Sequence, residues 1–129
     1  MRKLALLCLA AAGTLLLAAC SGGGGTTTVT NCSPSGTNLS VTAKSFVFDT
    51  TCLAAPANRA FTIAFHNEDG ATSHNVSIYT DSSARKPLFQ GKIVVGVATE
   101  RYDVKALPAG RYFFRCDVHP QMNGTFIVK

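Results

Sequence analysis

The sequence is poor in charge, in sulfur and imidazole side chains and in long apolar runs, and each shortage excludes something. Charged residues make up 15% of the 129 positions against 47% hydrophobic ones, which rules out a disordered polyelectrolyte and leaves material for a packed core. Five cysteines, scattered along the chain, are too few for a disulfide-framework mini-protein. No window of twelve or more residues carries a clean helical stripe. The length allows one domain at most. The formal net charge of +5 comes without a basic run, so nothing in it requires nucleic acid.

What is present begins with an export signal. Arg2 and Lys3 precede an apolar stretch over residues 4–17, interrupted only by Gly13 and Thr14, with small residues at Ala18 and Ala19. The stretch is too short for a comfortable membrane span of about 20 apolar residues. Leu17-Ala18-Ala19-Cys20 resembles the lipobox of bacterial lipoproteins, in which the cysteine receives a diacylglyceryl group, gains acyl chains such as palmitate and becomes the new N-terminus. An ordinary cleavage site with a coincidental cysteine is the alternative. The reading divides the chain into a signal peptide (1–19), a lipidated Cys20 with a Gly/Thr-rich tether (20–37) and one domain (38–129). Removing the signal leaves ten basic and seven acidic side chains, a net charge of +3. A multiply acylated cysteine, with each buried CH2 contributing about 0.8 kcal/mol, holds a protein on a membrane outside the cytoplasm. The run SGGGGTTTVT (21–30) lacks apolar periodicity and spans roughly 20 Å as a flexible coil.

From Asn38 onward, apolar and polar residues alternate in short runs broken by Gly, Pro, Asn and Asp. Candidate strands are 39–43, 46–49, 60–66, 75–80, 92–95, 99–104, 111–116 and 124–129. About eight strands in this space, with turn signals at Glu68-Asp69-Gly70 and Pro108-Ala109-Gly110, predict an all-β fold: a small antiparallel Greek-key β-sandwich. Phe61, Ile63 and Phe65 share one face, as do Tyr112, Phe114 and Cys116. Cys32 and Cys52 flank the first strands. In an exported protein they are expected to pair, which leaves Cys116 with no partner once Cys8 goes with the signal and Cys20 with the lipid.

A reason for a free thiol follows within six residues. Cys116-Asp117-Val118-His119-Pro120-Gln121-Met122 places a thiolate, an imidazole and a thioether on one loop between strands, and Met122 is the sole methionine of the mature chain. Soft sulfur with imidazole suits copper, and a cysteine with two histidines and a weak axial methionine describes a blue-copper site. The second histidine is His74, whose same-parity neighbours Val76 and Ile78 are apolar and turn it inward; His66 alternates out of phase with Phe61, Ile63 and Phe65 and falls on the opposite face.

The segment FTIAFHNED (61–69) followed by His74-Asn75, together with YFFRCDVHPQMNGTFIV (112–128), resembles the cupredoxin family of single-domain type 1 copper proteins, with the short amicyanin-type loop in which Pro follows the histidine. Plastocyanins and pseudoazurins have longer spacings there. The resemblance implies a type 1 copper bound by His74, Cys116 and His119 with Met122 as a long axial contact, and an Asn75 that braces the ligand loop. Val118 stands where many relatives have Pro, so a second N–H to sulfur bond is expected from it. His119 would be the electron port, ringed by Val118, Pro120 and Leu88 or Phe89. The implied function is single-electron transport between transient redox protein partners, by a monomer and not an enzyme. A copper-delivery lipoprotein is the alternative, disfavoured by the lack of Met-rich or His-rich tracts. Oxidase or nitrite-reductase chemistry needs further histidines and only His66 is spare; Cys-His nucleophilic catalysis lacks an orienting Asn or Asp, and a dinuclear copper centre needs a second cysteine in the loop.

Overall fold

The computed structural model describes residues 31–129. The expected signal peptide, the expected lipidation at Cys20 and the expected tether up to Thr30 lie outside the described residues.

Eleven strands make up the regular structure among those residues: β1 (Asn38–Lys44), β2 (Val47–Phe48), β3 (Cys52–Ala55), β4 (Phe61–Asn67), β5 (Ser73–His74), β6 (Ser77–Tyr79), β7 (Pro87–Gln90), β8 (Val94–Val95), β9 (Ala98–Val104), β10 (Gly110–Arg115) and β11 (Asn123–Val128). They form one sheet in the order β2-β1-β4-β9, a second in the order β3-β11-β10-β6-β7, and a two-stranded β5-β8 ribbon. The all-β sandwich expected from the alternation is present. Its pairing is mixed rather than purely antiparallel, because β1 lies parallel to β4 and β3 parallel to β11. Each of the eight expected strands has its counterpart, and β3, β5 and β7 are additional.

The core follows from the period-2 faces. Along β4, Phe61, Ile63 and Phe65 are buried while Thr62, Ala64 and His66 are half-buried. From the facing sheet come Phe114, Phe126 and Val128, and Phe61 stacks on Phe126 with ring centroids 5.4 Å apart. Each fully buried side chain of this size contributes about 1.5–3 kcal/mol. The Cys32–Cys52 disulfide is closed, tying the segment before β1 to the start of β3. A loop of this length contributes about 3 kcal/mol in the chain-entropy model.

Two local features place the site. First, the run His74–Tyr79, which leads from ribbon strand β5 into sheet strand β6, is buried at every residue, so the first histidine is fully buried. Second, β1 and β2 are joined by a two-residue turn at Ser45 and Phe46, with φ of 52° and 60°. Positive φ at both corners is the type I′ geometry that suits the twist of a hairpin and usually draws Asn-Gly. Phe46 was expected at the start of a strand, yet it takes the second corner. A bulky side chain there costs of order 1–2 kcal/mol, which its surroundings must offset.

Candidate metal centre

The first histidine is held by its own loop. Asn67, 1% exposed at the end of β4, donates from Nδ2 to the carbonyls of Thr72 (2.8 Å) and Val94 (3.1 Å), and its Oδ1 accepts from the Asp69 N–H (2.9 Å). This folds residues 67–72 into a bracket behind β5. Within it, His74 Nε2 lies 2.9 Å from Asp69 Oδ2. The carboxylate takes the Nε2–H, so Nδ1 carries the lone pair and faces inward. Asp69 also accepts from the backbone N–H groups of Ser45 (2.7 Å) and Phe46 (3.2 Å). Its carboxyl is held below the ordinary value, first by the Ser45 N–H and also by His74.

The remaining donors come from the loop between β10 and β11. Cys116 N donates to Met122 O and Met122 N to His119 O, both at 2.9 Å, closing the loop on itself. Asn123 Nδ2 reaches Pro120 O at 2.9 Å. The loop is fastened to the His74 segment by Asn75, whose Oδ1 accepts from Asp117 N at 2.8 Å and whose Nδ2 donates to Gly91 O at 2.8 Å and Asp117 Oδ2 at 3.0 Å. Asp117 further accepts from Ser77 Oγ (2.6 Å) and Tyr79 Oη (2.5 Å), and pairs with Arg115 Nε at 3.5 Å. Burial raises its carboxyl pKa, but the bonds from Ser77, Tyr79 and Asn75 and the Arg115 charge outweigh it and leave the value lowered.

The result is a compact donor set. His74 Nδ1, Cys116 Sγ and a ring nitrogen of His119 all lie within 4.8 Å of one another. His74 Nδ1 is 3.8 Å from Cys116 Sγ and 3.2 Å from His119 Nδ1. His74 and Cys116 are fully buried, Met122 is 2% exposed in the same core, and His119 is half-buried. A free buried thiol facing two imidazole nitrogens, with a buried thioether from the same loop, is the complement of a type 1 copper ion.

The structure therefore brings His74, Cys116, His119, Met122 and Asn75 together, and leaves His66 apart, with its Nδ1 3.0 Å from Thr99 Oγ1. Val118 behaves otherwise than expected. The N–H that reaches Cys116 Sγ is that of His119, at 3.4 Å, because the tight turn brings the third amide after the cysteine over the sulfur, while the Val118 side chain is 40% exposed. Leu88 and Phe89 are partly buried against the core, and the exposed aromatic beside His119 is Phe46, with ring centroids 5.0 Å apart. Sequence reasoning missed Phe46, Asp69 and Asp117. Asp117 is adjacent to the cysteine and Asp69 lies five residues before the histidine, so spacing alone was the available signal. Nothing local marks Phe46.

No curated protein sequence matches the chain. Solved structures share its fold. Reduced auracyanin from Roseiflexus castenholzii is 18% identical, with a TM-score of 0.65 over 72% of this chain and 97% of its own. Auracyanin A from Chloroflexus aurantiacus, a "blue" copper protein, is 19% identical, with a TM-score of 0.64 over 73% and 99%. Amicyanin from Paracoccus versutus is 21% identical, with a TM-score of 0.52 over 71% and 81%. A family model described as a cupredoxin-like domain matches residues 7–128, nearly the whole sequence. With that match, this fold and this donor set, the chain belongs to the cupredoxin-like family.

Proposed function

We propose that the chain is a membrane-tethered blue-copper electron carrier. In this reading His74, Cys116, His119 and Met122 would hold the copper, and the half-buried His119 would be the port. The observation that carries it is the closure of three donor atoms within 4.8 Å by bonds made inside the protein. Bound copper supplies a centre that gains and loses one electron. The chain's part is to keep the coordination from rearranging: Asp69 fixes the His74 ring, the 116–122 loop bonds fix the cysteine and the second histidine, and Asn75 locks the two segments together.

Partners in this reading are redox proteins that bind transiently, through interfaces under about 1,200 Å², and the chain works as a monomer. Cys20 carries the lipid that holds the domain on a bacterial membrane outside the cytoplasm, on its periplasmic or cell-surface side. The lipobox-like residues 17–20 support that placement, and so does the Cys32–Cys52 disulfide, which fits an oxidising compartment.

Voltammetry of the copper-loaded full chain tests the carrier role. A reversible one-electron wave with copper retained in both states is expected; copper released on reduction would favour delivery of the metal instead. Fatty-acid labelling in a bacterial host tests the anchor: the label is expected on the wild-type chain and absent from Cys20→Ala, and a labelled variant would contradict it.

A further inference from the structure

The Ser45-Phe46 turn is hard to explain as folding alone. Two consecutive residues with φ of 52° and 60° place a large aromatic in a conformation such residues rarely adopt, and the ring it carries is 46% exposed, so core burial does not account for it. The surroundings impose the conformation. Asp69 accepts the N–H groups of both turn residues, at 2.7 and 3.2 Å, and the same carboxylate holds His74. The consequence is specific: the Phe46 ring stands edge-on to both histidines, 5.0 Å from His119 at 87° and 5.8 Å from His74 at 82°. Backbone strain retained at a site and clamped from one side is strain with a use.

We infer that Phe46 is a positioning residue that forms a lid on the solvent edge of the metal centre, with Asp69 as its latch. The ring backs the imidazole of His119 and closes the approach by which water, small anions and chelators would reach the donor atoms. Because one carboxylate holds both the lid and His74, the lid sits in register with the ligands. This rests on the copper-site reading, but its test does not depend on copper alone.

Full-chain Phe46→Gly and Phe46→Ala are compared with wild type, with Phe46→Tyr as the conservative rescue. Glycine takes φ near 60° at no steric cost, so Phe46→Gly is expected to keep the thermal midpoint of the wild type. In the metal-free protein, alkylation by iodoacetamide is read at the Cys116 peptide. In the copper-loaded protein, transfer of copper to EDTA is followed by loss of the thiolate-to-copper band. Both rates are expected to rise about tenfold in the Gly and Ala variants, as for other residues that support metal ligands, and to return to the wild-type value in Phe46→Tyr. Unchanged rates in folded Gly and Ala variants would overturn the lid. Faster alkylation in a protein whose wild type forms no thiolate-to-copper band would leave the lid standing and overturn the copper reading instead.

Discussion

Asp69 Oδ2 takes the Nε2–H of His74 at 2.9 Å, and this one bond decides which ring nitrogen faces Cys116. A histidine free to flip presents either nitrogen, or neither, to a metal. Asp69→Ala is therefore expected to lower copper affinity by about 10- to 100-fold, as the loss of such supporting carboxylates does elsewhere. Competition titration against a chelator of known affinity measures it; an unchanged affinity would mean that packing alone orients the ring.

Met122 is 2% exposed and its backbone closes the loop in both directions, so its side chain can be shortened without opening the turn. Met122→Ala is expected to retain copper and the blue colour while shifting the reduction potential, because a weak axial ligand tunes the site more than it holds it. Absorption and voltammetry on one sample check both halves. Loss of colour would show that the thioether is needed for binding.

Asp117 gathers donors from Asn75, Ser77 and Tyr79, and removing it strands the donors of three buried residues. Asp117→Ala is expected to cost about 2 kcal/mol in metal-free stability. The carboxyl is lowered from 3.8, so the unfolded chain takes up its proton first as pH falls. The stability it contributes is present above the unfolded value and is lost as pH drops through the folded one. Denaturant midpoints from about pH 5 downward should decline more gently in Asp117→Asn than in wild type. Some acid slope remains in that variant, since Asp69 is lowered as well.

Gly124 sits in β11 opposite Phe114, and a Cβ there would run into the Thr51 carbonyl oxygen and meet the Phe114 ring at 2.6 Å. Phe114 is fully buried and cannot move aside, so Gly124→Ala is expected to destabilise by about 1–3 kcal/mol. Gly70→Ala, with nothing within 4 Å of the added carbon, is the control and should stay within about 0.5 kcal/mol. Equal midpoints for the two variants would contradict the close packing at β11.

Particular residues show where reading the sequence succeeds. Phe61, Ile63 and Phe65 announce their face because their strand has one dry side, and His74 announces its depth through Val76 and Ile78. The ligand loop is legible because its three chemically distinctive positions, Cys116, His119 and Met122, are local. The parallel pairings β1-β4 and β3-β11 are not legible, since alternation reports which face is buried and not which strand lies alongside. β3 is hidden by its alanines, which carry little hydrophobic contrast, and β7 by the proline at its start. The Phe46-Asp69-His74 arrangement joins Phe46 to two residues more than twenty positions further on, through a turn that lacks the Asn-Gly signal, so only the fold brings it into view.

The copper centre itself is tested most directly by the visible absorption spectrum of the Cu(II)-loaded full chain beside its Cys116→Ser variant. An intense thiolate-to-copper band is expected in the wild type and none in Cys116→Ser. A wild-type chain that binds Cu(II) without the band, or a variant that keeps it, would contradict a type 1 copper site built on Cys116.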